Sequence, residues 1–154
     1  MRLNNELELT VPEGFHEMDE AERSKLTFAN DVPGLCISDP DRHIVVTVGW
    51  RTLSTFAAML LDTKSTAKNA EKQIRNLMKG YGYRPLAFSG KELGGKAASG
   101  FKYAYDVQDT GMLGETFMTK NGKTLHGFNF YCRRTLEKES MPVWEEFLRS
   151  VRWV

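Results

Sequence analysis

Apolar and polar residues take turns along the first segment: from Leu3 to Val11, Leu7, Leu9 and Val11 alternate with Glu6, Glu8 and Thr10. A two-residue period is that of a half-buried strand. Pro12-Glu13-Gly14 ends it, and Phe15 to Met18 suits a short return strand. The acids of Asp19-Glu20-Ala21-Glu22 then suit the first turn of a brief helix, where the helix dipole favours negative charge. Leu35 to Ser38 reads as a strand that stops at Asp39-Pro40-Asp41-Arg42, a run of turn-forming residues. His43 to Arg51 sets Ile44, Val46, Val48 and Trp50 on one face and His43, Val45, Thr47 and Gly49 on the other, and predicts a central strand.

The period then changes. Leu53 to Leu61 predicts a first helix capped by Ser54, and Thr63 or Ser65 starts a second that runs to Met78 or Lys79 and stops at Gly80. Ala67, Ala70, Ile74, Leu77 and Met78 share one side of this second helix at roughly 100° per residue, and that side should face a sheet. Tyr81 to Phe88 is a strand interrupted by Pro85, which points to a sheet edge or a bulge because proline cannot donate to the ladder. After a turn at Gly94-Gly95, Phe101, Tyr103, Tyr105 and Val107 alternate with Lys102, Ala104 and Asp106. Gly111 and Gly114 separate this strand from Glu115 to Lys120. Lys123 to Arg133 returns across Asn121-Gly122, the dipeptide of a two-residue type I′ hairpin, with His126, Phe128, Phe130 and Cys132 on one face. Tyr81 to Arg133 thus predicts four consecutive antiparallel strands. Ser140 should cap a final helix with Pro142 in its first turn, and Met141, Trp144, Phe147, Leu148 and Val151 form its buried stripe.

Strands first, a helical pair, a meander and a closing helix describe a layered α+β domain. The 154 residues suit a single domain spanning 1–154, and 41% hydrophobic with 27% charged residues excludes a disordered or fibrous chain. The longest apolar-rich run, Phe56 to Leu61, is far short of the roughly 20 residues that span a bilayer, so no transmembrane segment is expected. The first residues have neither the apolar core nor the cleavage site of a secretory signal, which implies cytoplasmic residence for the chain as given. Cys36 and Cys132 lie in apolar strand-like runs and read as reduced, packed thiols.

Little of this composition points to catalysis. Gly90-Lys91-Glu92-Leu93-Gly94-Gly95-Lys96 matches the opening of a phosphate-cradling loop, but Ala97 stands where a hydroxyl would ligate Mg²⁺. An alternating aromatic strand follows it instead of a helix with free N–H groups, so the stretch reads as a hairpin turn. His16, His43 and His126 lack metal-ligand spacing, and no Gly-x-Ser-x-Gly elbow exists. No catalytic, metal or cofactor-binding residue is assigned on these grounds. A Cys–His nucleophile brought together in space, from Cys36 or Cys132 with His43 or His126, is the competing reading.

Charge supplies the surface candidate. The net charge is +1, yet Glu6, Glu8, Glu13, Glu17, Asp19, Glu20 and Glu22 precede a basic second helix. Lys64, Lys68, Lys72, Arg75 and Lys79 recur every three or four residues along it and form one stripe. Such a stripe is either a solvated helix face or a docking stripe for a protein partner with an acidic surface. It has no aromatic residues for base stacking, and the near-neutral chain argues against nucleic acid.

Leu7-Glu8-Leu9-Thr10-Val11-Pro12-Glu13-Gly14-Phe15 resembles the opening strand and Pro-x-Gly-aromatic turn of the PsbP-like superfamily, and Glu146-Phe147-Leu148-Arg149-Ser150-Val151 resembles its closing helix and short strand. Within that group the chain is most similar to the DcrB-like bacterial branch. The resemblance implies a three-layer α/β/α sandwich around a mostly antiparallel sheet of about six strands. It implies no shared reaction, since members are typically non-catalytic binding or assembly factors. The chain as given is expected to carry neither the lipoprotein signal nor the transit peptide common in the group, so location and partner are not carried over, and no residue matches a Ran-binding or manganese-handling signature. The expected function is therefore non-catalytic binding of a protein partner. The alternatives are a carrier or enzyme using a cleft between the sheet and the C-terminal helix, and a homodimer paired through the edge strand near Pro85.

Overall fold

Strand-forming runs dominate the chain, and among the described residues seven of them join into one antiparallel sheet. The computed structural model describes residues 1–26 and 34–154. The first half contains β1 (Arg2–Leu3), β2 (Leu7–Glu8), β3 (His16–Glu17), α1 (Glu20–Ser24), β4 (Gly34–Asp39), β5 (Ile44–Thr52), α2 (Thr55–Leu60) and α3 (Thr63–Leu77). The second contains β6 (Arg84–Leu93), β7 (Lys96–Val107), β8 (Thr110–Asn121), β9 (Thr124–Arg133), a 3₁₀ turn at Arg134–Leu136, α4 (Glu137–Arg149) and β10 (Arg152–Trp153). The large sheet runs β3-β4-β5-β9-β8-β7-β6, and β1, β2 and β10 form a small three-stranded one. The fold is α+β, with one strand more in the main sheet than the pattern suggested.

Local chemistry explains most boundaries. Asp19 caps α1 in a capping box with Glu22, Ser54 caps α2, and Asp62, which the pattern did not single out, caps α3 through the Ser65 N–H. β6 is an edge strand whose register slips between Pro85 and Ala87, as the proline required. β5 lies between β4 and β9, a central place.

Four expectations are corrected. The alternation of Leu3 to Val11 is not one strand: Asn4 and Asn5 adopt positive φ (42° and 59°) and fold β1 back on β2, because Asn tolerates the left-handed region. Gly111 and Gly114 lie inside β8, and the turn is made before them at Gln108 (φ 54°). Gly114 is required there by Tyr103, whose Cζ would sit 2.3 Å from an added Cβ. The last helix begins at Glu137, fed by the 3₁₀ turn, so Ser140 is a buried position inside it instead of its cap, and Pro142 sits a turn deeper than expected. Leu77, at the end of α3, is exposed.

The core has two parts. Trp144, Phe147, Leu148 and Val151, on α4 and just beyond it, pack with Ile37, Val46, Phe117, Phe128, Phe130 and Cys132. Ala67 of α3, with Ala70, Ile74 and Met78, packs with Phe101, Tyr103 and Tyr105. Side chains alternate along a strand. On β9, Phe128, Phe130 and Cys132 therefore join the first cluster while Tyr131 joins the second, and on β7 Ala98 joins the first while Phe101 and Tyr103 join the second.

Candidate functional site: the basic helix and the open sheet edge

The helix α3 is amphipathic, and its polar side carries the predicted stripe. Lys64, Lys68, Lys72, Arg75 and Lys79 are all exposed, the last just beyond the helix end. Arg75 differs from the others. It bonds through Nε to Oε2 of Glu71 at 3.0 Å, and Tyr83 Oη donates to the same oxygen at 2.7 Å. Burial pushes the Glu71 carboxyl upward, but the hydrogen bonds from Arg75 and Tyr83 outweigh it and hold it below the ordinary glutamate value. Burial and the Glu71 bond in turn push the Tyr83 phenol up, so the three groups form one fixed network at physiological pH. The i, i+4 spacing of Glu71 and Arg75 was the signal in the sequence for this network. Among the described residues Lys64, Lys68, Lys72 and Lys79 form no salt bridge.

α3 runs beside the free edge of the sheet. Thr63 Oγ1 lies 2.8 Å from Ser99 Oγ at one end, and Glu71 reaches Tyr83 farther along. Between helix and edge lies a groove of about 250 Å³ lined by Lys64, Ala67, Lys68, Phe88, Gly90 and Ser99. Its floor is open at Gly90, where an added Cβ would meet only the Ala98 carbonyl at 3.6 Å. Phe88, stacked obliquely on Phe101 with centroids 6.0 Å apart, is still 53% exposed. Leu77 and Leu86 are exposed too, as are Phe56, Met59 and Leu60 on α2. In the groove itself, exposed Phe88 beside Lys64 and Lys68 supplies both an apolar and a cationic component. Phe88 and Gly90 were hidden in the sequence because strand alternation does not distinguish an edge face from a covered one.

The other candidates are placed differently. Cys36 and Cys132 are free and buried. Ile37 shares a cluster with Cys132, and alternation turns its neighbour Cys36 toward the opposite face of the sheet. Burial pushes the Cys132 thiol up to about 11 and raises that of Cys36 as well, which keeps both protonated and weakly nucleophilic. His16 is an exposed partner of Glu22 at 2.7 Å, and His43 lies in the β4–β5 turn with positive φ. His126 is fully buried, with Nε2 3.1 Å from Asn4 Nδ2 and 3.4 Å from Glu6 Oε2, and its Nδ1 has no partner. Burial holds its pKa below the ordinary imidazole value, against the opposing pull of Glu6 and the Thr124 backbone. It ties the β1–β2 hairpin to the sheet beside Trp153, whose ring centroid is 5.0 Å away.

Gly94 and Gly95 have positive φ and make the β6–β7 turn, so the phosphate-loop resemblance ends in a hairpin. Under α4, Trp144 stacks between Phe130 and Phe147 and donates from Nε1 to Glu115 at 2.9 Å. A hollow of about 540 Å³ lies instead by α1 and is lined in part by Met18, Glu22, Asp39, His43, Gln108 and Arg133. No metal-binding group of His, Cys, Asp or Glu exists among the described residues. No helix among them is long and apolar enough to cross a membrane.

No family model matches the chain, and no curated protein matches it. Solved structures do. Cyanobacterial PsbP of Synechocystis superposes with a TM-score of 0.69 at 14% identity, over 96% of this chain and 86% of that one. The chain has a PsbP-like fold. LpqN of Mycobacterium tuberculosis shares this PsbP-like fold with a TM-score of 0.68 at 14% identity, over 96% and 83% of the two chains. The Ran-binding protein Mog1p of Saccharomyces cerevisiae shares it with a TM-score of 0.57 at 12% identity, over 95% and 89%. At such identities the PsbP-like fold carries no residue-level role across, and the site rests on this chain's own geometry.

Proposed function

We propose that this PsbP-like chain is a non-catalytic binding domain that docks a protein partner with an acidic surface against α3 and the adjoining sheet edge. One observation carries the reading: Lys64 and Lys68 stand without salt bridges beside exposed Phe88, and Lys72 and Lys79 continue the same exposed stripe. Aligned cations speed encounter with an acidic partner, and apolar groups beside them hold it once docked. A fold neighbour that is itself a Ran-binding protein supports protein recognition by this architecture. In this reading α3 and α4 are the outer layers of a three-layer α/β/α sandwich, and α3 is the layer that meets the partner. Two unbridged, buried thiols suit a cytoplasmic setting.

The test is affinity capture with the native chain against a Lys64→Glu/Lys68→Glu/Lys72→Glu variant. Arg75 is left intact because its removal would expose the buried charge of Glu71. Proteins retained by the native chain, released by salt and absent from the variant are expected. An identical captured set from both would overturn the reading.

A further inference from the structure

β6 ends the large sheet: β7 pairs with its inner side, and its outer side pairs with no strand among the described residues. Every second residue of an edge strand directs its N–H and C=O outward, where another strand can bind them. Sheets commonly protect such edges with proline, bulges or inward charges; here Pro85 and the bulge after it protect the beginning, and Lys91, with Nζ 4.7 Å from the Phe117 ring centroid, turns to the face away from α3. From Ala87 to Leu93 the ladder with β7 is regular, so the outward groups of that stretch are evenly spaced.

We propose that the partner contributes an extended acidic segment that adds to β6 as an eighth strand, an inference that rests on the docking reading above. Added strands take affinity from backbone hydrogen bonds and specificity from alternate side chains. Phe88 and Gly90 occupy one face of β6, the face on which Phe101 meets α3. A side chain of the added strand on that face enters the groove over bare Gly90, beside Phe88 and Ala67, and must be apolar. Of its neighbours two residues away on the same face, the one opposite Phe88 comes beneath Lys64 and Lys68 and must be acidic, whereas the one opposite Glu92 must not be. The recognised pattern is thus an acid two residues from an apolar one, with no acid two residues beyond on the other side. A second copy of this chain does not fit: its β6 offers no acid that flanks an apolar residue at that spacing, and two-fold edge pairing would bring two cationic α3 helices to the same face.

The probe is a fluorescent synthetic peptide with one Glu two residues from a Val in a Thr background, titrated into the full chain by anisotropy at low and high ionic strength. Salt-sensitive binding is expected, with affinity falling about tenfold or more for Lys64→Glu/Lys68→Glu and for Gly90→Leu. Of two N-methylated peptides, methylated on alternate sets of residues, one should lose binding and the other keep it. Amides of Ala87–Leu93 should gain protection from hydrogen exchange with the unmethylated peptide bound. If charge reversal abolishes binding but neither methylated peptide is impaired, or β6 gains no protection, strand addition fails while the acidic-partner reading stands. If charge reversal changes nothing, that reading fails itself. Absence of any binding, or a dimer in sedimentation that Gly90→Leu dissolves, overturns the proposal.

Discussion

The two core clusters are finished in different ways. Under α4 the cover is dense: Trp144, Phe147 and Leu148 are at most 2% exposed and the stacked rings of Phe130, Trp144 and Phe147 fill the layer. In the other cluster α3 packs on Phe101, Tyr103 and Tyr105 but has only Thr66, Ala67 and Glu71 of its own buried, and Leu77 and Phe88 are more than half exposed. One helix is spent on stability. The other leaves surface over, and leftover apolar surface beside unpaired cations is what a partner would use.

The most damaging way to probe this contrast is Trp144→Ala. Removing a fully buried indole should cost roughly 3–5 kcal/mol in denaturant unfolding, and it also leaves the Glu115 carboxylate without its donor. A loss below about 1 kcal/mol would mean that the α4 side is loosely packed after all, and the contrast between clusters would collapse.

Two glycines sharpen the contrast at smaller scale. An alanine Cβ at Gly100 would stand 2.3 Å from the Thr116 carbonyl, so Gly100→Ala should destabilise by roughly 1–3 kcal/mol. Gly90→Ala, on the open edge, meets ordinary contact only and should leave the unfolding midpoint unchanged. On the α3 side the comparable loss comes from Glu71→Ala, which deprives Tyr83 and Arg75 of their shared acceptor and should cost roughly 1–3 kcal/mol.

How much of this was legible differs between the same regions. The stripe of α4 and the aromatic alternation of β7 to β9 were plain, because burial on one side forces a period that composition cannot imitate. The helix start at Glu137 was not, since a 3₁₀ turn with no side-chain cap leaves no residue-type signature. Asn4-Asn5 was missed because the Leu7, Leu9, Val11 alternation runs through it in sequence while the backbone reverses. On the α3 side the stripe of cations was visible, but its neighbour across the groove, Phe88 with Gly90, depends on a long-range pairing of helix and edge. Pro85 was the only local hint that this edge is open.

Acid reaches a third place, the junction of the small sheet and the large one, where His126 meets Asn4 and Glu6. His126 is held neutral by burial, with Glu6 pulling the other way, so its folded pKa lies below the ordinary 6.5. As pH falls through about 6.5 the unfolded chain takes up a proton that the folded chain resists, and stability declines. Asp39, Asp62, Glu71 and Asp106 are shifted low, so their contributions persist until pH reaches the ordinary carboxylate range. Between neutral pH and about 5 the melting temperature should therefore fall with a slope that His126→Gln removes. A slope that survives this substitution would assign the titration to another group.

The smallest expected effect is the most informative about function. Lys64, Lys68 and Lys72 are exposed and unpaired, and exposed substitutions away from caps and networks usually change stability by no more than about 0.5 kcal/mol. Changing all three to Glu should leave the unfolding midpoint near its native value, and relief of like charge along one helix face offsets part of any loss. Lys64 is the one to watch, because it sits in the first turn of α3, where a negative replacement favours the helix dipole. A variant that keeps its stability but loses its partner would separate the two regions into one that holds the fold and one that meets the outside. A variant that melts early would show instead that the stripe belongs to the fold, and the division of labour between α3 and α4 would have to be abandoned.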